Sequence, residues 1–296
     1  MRDEELRDLA AQEERHWWFR ARRRVLARVL GEVRWERAPR AVIDLGCGAG
    51  IDLERLPLAD GLRVGVERDP DLLRTARLRF RAQQPGRLVA ALVRGDGTRL
   101  PLGGECFDLA LALDVLEHVE EDAGAIAEAR RVLRPGGRLL VTAPACPWLW
   151  SEHDVALEHR RRYRRRDLLA KIEAAGFDVE RESYFNTLLF PLAAAYRLLR
   201  SWRARLLPEW GGGAAGGPGR SVRSGPTAAT GAPSADWPAA SPGVSGSDGG
   251  KAVSDTRRLG HRGGWLLERV FGLESRWLAR HRLPFGLSLL VVARRR

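Results

Sequence analysis

Apolar positions recur along the chain with two different periods, and the switch near residue 40 divides it. From 3 to 30 the spacing is helical: Trp18, Ala21, Val25 and Val29 share a stripe, Arg20, Arg22, Arg23, Arg24 and Arg28 clothe much of the remainder, and Gly31 ends the run. From residue 41 short apolar runs alternate with helical stretches. Strands are predicted at 41–46, 62–67, 88–93, 107–113, 138–143 and 178–185, and helices at 69–82, 120–133 and 166–175. This alternation predicts an α/β domain whose mostly parallel sheet carries helices on both faces.

Boundary residues agree with the periodicity. Asp69-Pro70 supplies an N-cap followed by proline at the first helical position, ahead of the shared face of Leu72, Leu73, Ala76 and Phe80. Arg134-Pro135-Gly136-Gly137 stops the helix of Ile126, Ala129 and Leu133, and Gly176 closes that of Leu168, Leu169 and Ile172. After about Leu207 the composition becomes Gly, Ala, Ser and Pro, too poor in apolar residues to order itself. An amphipathic helix is predicted at 264–282, with Leu266, Val270, Leu273 and Trp277 on one face, before a last strand at 287–293. The expected organisation is a helical lid at 1–38, a core at 39–186, a lid or interfacial helix at 187–206, a disordered linker at 207–256, an amphipathic helix at 257–284, and a last core strand with a basic tail at 285–296.

Charge widens the range of partners. The net charge of +12 comes mostly from arginine and points to nucleic acid, a membrane surface or a phosphorylated substrate. Cys47, Cys106 and Cys146 are odd in number and widely spaced, which argues against a disulfide framework and a structural zinc and predicts a reducing cytoplasm. The first residues lack the features of a secretory signal, and the longest apolar runs fall short of the roughly 20 residues that span a bilayer.

The strongest motif is the strand and glycine turn Val42-Ile43-Asp44-Leu45-Gly46-Cys47-Gly48-Ala49-Gly50. Glycines there allow close approach of a ligand at the carboxyl edge of a sheet. Ile51 stands where a dinucleotide fingerprint requires its third glycine, so pyrophosphate binding is disfavoured. Glu67, at the end of the second strand, is placed to accept from ribose hydroxyls. A nucleoside ligand without pyrophosphate satisfies both observations.

With Val64 to Glu67, Gly95-Asp96-Gly97, Phe107 to Val119 and Arg134 to Gly137, this stretch resembles the ordered motifs of class I S-adenosylmethionine-dependent methyltransferases over residues 40–145. The resemblance implies a seven-stranded Rossmann-like sheet in the order 3-2-1-4-5-7-6, its last strand antiparallel, with an N-terminal helical extension and a helical insertion before that strand. It implies S-adenosylmethionine as cofactor. Gly46, Gly48 and Gly50 would pass under its methionine part, Glu67 would hold the ribose, Asp96 with Gly97 beside it would hold the adenine amino group, Asp114 would border the sulfonium, and Asp44 would support the loop.

Oxygen and carbon acceptors need a proton removed, and histidine is the natural base near neutral pH. The candidates are His118 after the fourth strand and His153, Asp154 and His159 after the fifth. Trp17, Trp18 and Tyr163 are candidates for the lid and acceptor contacts, and no metal is expected. The expected reaction is methylation of a small hydrophobic or lipid-linked acceptor, with O-, C- and N-transfer all open, in the cytoplasm or peripherally at the inner face of the membrane. The apolar insertion flanked by arginines motivates an anionic membrane surface as a further partner. An RNA methyltransferase is the alternative that the charge invites, although Asp114-Val115-Leu116 resembles neither the amino-directed nor the cytosine-C5 nucleic-acid pattern. A second alternative is a scaffold that binds S-adenosylmethionine without catalysis.

Overall fold

In the computed structural model the described residues are 14, 16–81, 89–151, 154, 155, 157–192, 194, 195 and 264–296. The linker expected at 207–256 lies outside them, as does most of the expected interfacial helix. The strands are β1 (Ala41–Leu45), β2 (Leu62–Glu67), β3 (Val89–Arg94), β4 (Phe107–Leu113), β5 (Leu133–Pro144), β6 (Phe177–Phe185) and β7 (Ser288–Arg295). The helices are α1 (Trp17–Glu32), α2 (Ile51–Arg55), α3 (Pro70–Arg81), α4 (Asp122–Val132), α5 (Arg165–Ala174) and α6 (Gly264–Arg280). The sheet order is β3-β2-β1-β4-β5-β7-β6, the order that the family resemblance implies. All neighbouring pairs are parallel except those of β7, which runs antiparallel to β5 and to β6.

Alternate residues of the strands feed two apolar layers, because successive side chains point to opposite faces. Ile43, Ala110, Ala112, Leu139 and Val141 pack with Ile126 and Ala129 of α4 and Leu168 and Ile172 of α5. Val42, Leu109, Leu111, Leu140 and Val292 pack on the other face with Val25, Leu26 and Val29 of α1 and Phe271 and Leu278 of α6. Helices α1 and α6 thus form the second helical layer of the sheet instead of lying wholly over its mouth as lid segments.

The buried face of α6 differs from the one that periodicity indicates. Phe271 and Leu278 are buried whereas Leu273 and Trp277 are 63% and 59% exposed. Two stripes of this helix have apolar residues at helical spacing, and contacts to other elements decide between them. Phe271 meets Trp18 edge to face, Glu268 pairs with Arg20 and Arg24 of α1, and the Glu274 carboxylate accepts from the backbone N–H of Thr187 at 3.0 Å. Complete burial of a side chain the size of Phe271 or Leu278 contributes about 1.5–3 kcal/mol each, enough to fix the orientation.

Candidate functional site

The carboxyl ends of β1, β2, β3 and β4 bring the glycine turn, Glu67, Asp96 and Asp114 to one edge of the sheet. Gly46 and Cys47 donate their backbone N–H groups to the Val66 carbonyl, at 2.8 and 3.0 Å, which ties the turn to β2. Gly46, Gly48 and Gly50 have φ of +69°, +54° and +78°, the left-handed region in which a side chain is strained. The Glu67 carboxylate accepts from Gly48 N–H at 2.9 Å and from the N–H groups of Arg68 and Asp69, so its position is set by backbone. Asp96 uses Oδ1 to accept from Thr98 N and Oγ1, leaving Oδ2 for another donor. A Cβ added at Gly48 or Gly97 would meet nothing within 4 Å, so the turn and the β3 loop border open space beside these carboxylates. That cradle fits a nucleoside with an amino-acid tail, and Glu67, Asp96 and the glycine turn are the residues that would hold it.

Asp114 sits on the turn after β4 with φ +55° and accepts from Thr142 Oγ1 at 3.0 Å. Arg22 of α1 reaches this edge from the second helical layer. Its guanidinium donates to Asp114 and to Asp52 at the start of α2, and it is 5% exposed. Burial pulls its pKa down, but the attraction of Asp52 and Asp114 outweighs that and holds it above the ordinary arginine value. Asp44 is buried beneath, and burial, then repulsion from Asp52, raises its pKa well above the usual carboxylate range. The helical spacing of α1 places Arg22 among the solvated arginines. Its role in joining the amino terminus to the site depends on the docking of α1, which no local pattern records.

The segment after β5 folds back over the turn after β4. Tyr163 N–H donates to the Pro144 carbonyl at 2.8 Å and Cys146 N–H to the Tyr163 carbonyl at 3.1 Å, while Arg160 N–H donates to the Glu117 carbonyl at 2.8 Å. This strap brings His159 against His118, with ring centroids 4.9 Å apart. Asp154 is wholly buried and accepts from Ser151 N–H at 2.9 Å, Arg162 Nε at 2.7 Å and His159 Nδ1 at 3.0 Å. Burial opposes its ionisation, but the bonds from His159 and Arg162 hold its pKa below the usual range. Asp154 is therefore a positioning residue for His159, not an exposed base. Burial and the neighbouring His159 lower the pKa of His118, keeping its imidazole neutral at neutral pH. Glu117 is buried between His118 and Asp114, and burial raises its pKa well above the usual range. No local pattern in the sequence marks Glu117.

The lid and acceptor candidates have other surroundings on this geometry. Tyr163 does not face the mouth: it is 3% exposed, and its hydroxyl donates within the fold, with the Leu116 carbonyl at 3.1 Å and Asp122 Oδ2 at 2.7 Å. Trp17 and Trp18 pack on the inner apolar layer, Trp18 stacking on Phe185 and both meeting Phe271. His153 lies outside the described residues.

Comparison with known proteins agrees with this architecture. The methyltransferase domain family matches residues 43–141. The chain is 31% identical over 169 residues to a probable S-adenosylmethionine-dependent methyltransferase of Mycolicibacterium smegmatis, covering 56% of this chain and 62% of that protein. It is 32% identical over 126 residues to a demethylmenaquinone methyltransferase of Tropheryma whipplei, covering 43% of this chain and 47% of that protein. The chain thus spans less than two thirds of the length of either relative. Phosphoethanolamine N-methyltransferase 2 of Haemonchus contortus, solved with S-adenosyl-L-methionine, shares the fold with a TM-score of 0.51 at 13% identity, over 92% of this chain and 52% of that one. The glycine turn, the sheet order and the matched residues together show that this chain carries a methyltransferase domain of the class I S-adenosylmethionine-dependent family.

Proposed function

We propose that the protein transfers a methyl group from S-adenosylmethionine to a small hydrophobic or lipid-linked acceptor. The observation that carries the transfer reading is the cradle at the sheet edge, where left-handed Gly48 holds Glu67 Oε2 at 2.9 Å beside open space. Bound S-adenosylmethionine supplies an electrophilic methyl on sulfur. The chain's own part is positioning: Glu67 and Asp96 present acceptors for hydroxyl and amino groups, and Arg22 fixes Asp114 where the sulfonium would lie. Alignment within roughly 3–3.5 Å of an acceptor atom is worth several kcal/mol of barrier, so rigid supports of this kind contribute directly to rate.

Two features support a hydrophobic acceptor met at a membrane. One relative is a demethylmenaquinone methyltransferase, and α6 turns Leu273 and Trp277 outward next to Arg276 and Arg280. Apolar and cationic residues on one exposed face are the composition of interfacial helices. Among the described residues no helix is long and apolar enough to cross a bilayer.

Calorimetric titration with S-adenosylmethionine and S-adenosylhomocysteine tests the transfer reading. Wild type binds both, and Glu67→Ala and Asp96→Ala each lose at least tenfold in affinity while retaining the wild-type circular dichroism. Wild-type-like binding by both variants would remove these carboxylates from the site. A folded wild type that binds neither ligand would overturn the reading.

A further inference from the structure

Residues 117, 118 and 159 come together through the strap described above, and ligand-capable atoms of Glu117, His118 and His159 lie within 4.8 Å of one another. We propose that these three side chains bind one first-row divalent metal ion, of the zinc or cobalt kind, on the acceptor side of Asp114. Three independent features support the site. First, Glu117 Oε2 is buried without a hydrogen-bond partner, although Glu117 as a whole is only 1% exposed. The nearby cations are committed elsewhere: Arg22 to Asp52 and Asp114, and Arg162 to Asp154 and the Ala145 carbonyl. A bound cation would give this oxygen the partner that the fold withholds, and leaving a buried polar group unpaired is costly.

Second, the His159 imidazole has one nitrogen engaged and the other left over. Its Nδ1 faces Asp154 Oδ1 at 3.0 Å. A carboxylate or carbonyl on one ring nitrogen fixes the tautomer that offers the other nitrogen to a metal, the usual arrangement around metal-bound histidine. Asp154 is anchored by Ser151 and Arg162, so the orientation of His159 is itself held. Third, the backbone is shaped to present these groups. Glu158, preceding His159, has φ +55° in the left-handed region, and Arg160 closes the turn on Glu117 and His118 through their carbonyls.

Two imidazoles and one carboxylate favour zinc, cobalt or a similar ion over magnesium or calcium, which take all-oxygen shells. Tetrahedral ligands at about 2.0–2.1 Å from zinc stand roughly 3.3 Å apart, so small side-chain rotations complete the set. Three protein ligands leave one position open. Resting on the methyltransferase reading, that position would take an oxygen of the acceptor. Coordination lowers the O–H pKa, the proton passes to solvent, the oxygen lone pair forms the bond to the methyl carbon, and the C–S bond breaks with its electron pair remaining on sulfur. The ion site itself does not depend on that step.

The test uses the tag-free full chain, stripped with chelator and titrated with Co²⁺ alone. Visible d–d absorption saturating at one Co²⁺ per chain, without the near-ultraviolet charge-transfer band of a thiolate ligand, is the expected result. Zn²⁺ should displace the signal and Mg²⁺ should not. His118→Ala, His159→Ala and Glu117→Gln should each weaken Co²⁺ at least tenfold, Asp154→Asn about tenfold or more through His159, and Cys106→Ser not at all. Circular dichroism and S-adenosylmethionine affinity monitor folding in each variant. A folded wild type that binds S-adenosylmethionine but no Co²⁺ or Zn²⁺ would sink the metal site and leave the transfer reading standing. Co²⁺ binding without S-adenosylmethionine binding would do the reverse. Unchanged Co²⁺ affinity in folded His118→Ala and His159→Ala would place the ion elsewhere and overturn the proposal.

Discussion

Gly46 and Gly48 share the left-handed backbone but face different surroundings. A Cβ at Gly46 would stand 2.7 Å from a Val115 methyl, whereas one at Gly48 would meet nothing within 4 Å. Gly46→Ala therefore combines backbone strain with overpacking against a stiff β-branched neighbour, an expected loss of about 2–4 kcal/mol in denaturant melts. Gly48→Ala bears only the backbone cost of about 1 kcal/mol. Its methyl would enter the space assigned to the ligand, so S-adenosylmethionine affinity should fall more than tenfold in a protein that remains folded. Calorimetry on the two variants separates support of the turn from contact with the ligand. Wild-type affinity in Gly48→Ala would count against the assigned space. Residues of this kind are legible in sequence because the constraint is local: only glycine is unstrained at these dihedral angles.

At the scale of elements, the strap after β5 is clamped to α4 and α5 by one carboxylate. Asp122 at the start of α4 accepts from Lys171 of α5 at 2.6 Å and from the Tyr163 hydroxyl at 2.7 Å. Burial alone would raise the Asp122 pKa, but the bonds from Lys171 and Tyr163 outweigh it and hold the carboxyl below its ordinary value. A depressed folded-state pKa means that the ionised group stabilises the fold above the unfolded value of about 3.9 and that this contribution is lost as pH falls through the folded value. Asp122→Asn should accordingly cost about 2 kcal/mol at pH 7. The gap from wild type should narrow in melts taken at successively lower pH below about 4. A constant difference across that range would show that charge is not what the clamp uses. Tyr163, a candidate for lid and acceptor contacts by its position in the sequence, instead uses its hydroxyl in this clamp.

At the scale of the whole molecule, the net charge of +12 and the outward apolar residues of α6 bear on one question, attachment to anionic membranes. The protein should float with vesicles containing phosphatidylglycerol at low salt and much less at 0.5 M, where screening shortens to about 4 Å. Leu273→Glu with Trp277→Ala should abolish flotation without lowering Tm, because both side chains are mostly exposed. No flotation of wild type at low salt would leave the arginine content as surface composition and remove the membrane from the proposal.

The carboxylates that follow β3 and β4 are marked only by the family resemblance, whereas the sequence alone shows the alternation of strands and helices, the glycine turn and Glu67 at the end of the second strand. Each of these depends on residues within a few positions of one another, where periodicity and backbone dihedral preference act. The short helix α2 escaped because five residues are too few to show a period. Tertiary structure alone decided which stripe of α6 is buried, because helical spacing marked two stripes and contacts from Trp17, Trp18, Arg20, Arg24 and Thr187 choose between them. It likewise converted Arg22 from an apparently solvated arginine into the buried link between Asp52 and Asp114. It also placed His159 beside Glu117 and His118, 41 positions away from the nearer, because side chains far apart in the chain meet only once β4 and β5 pair and the strap closes over their ends.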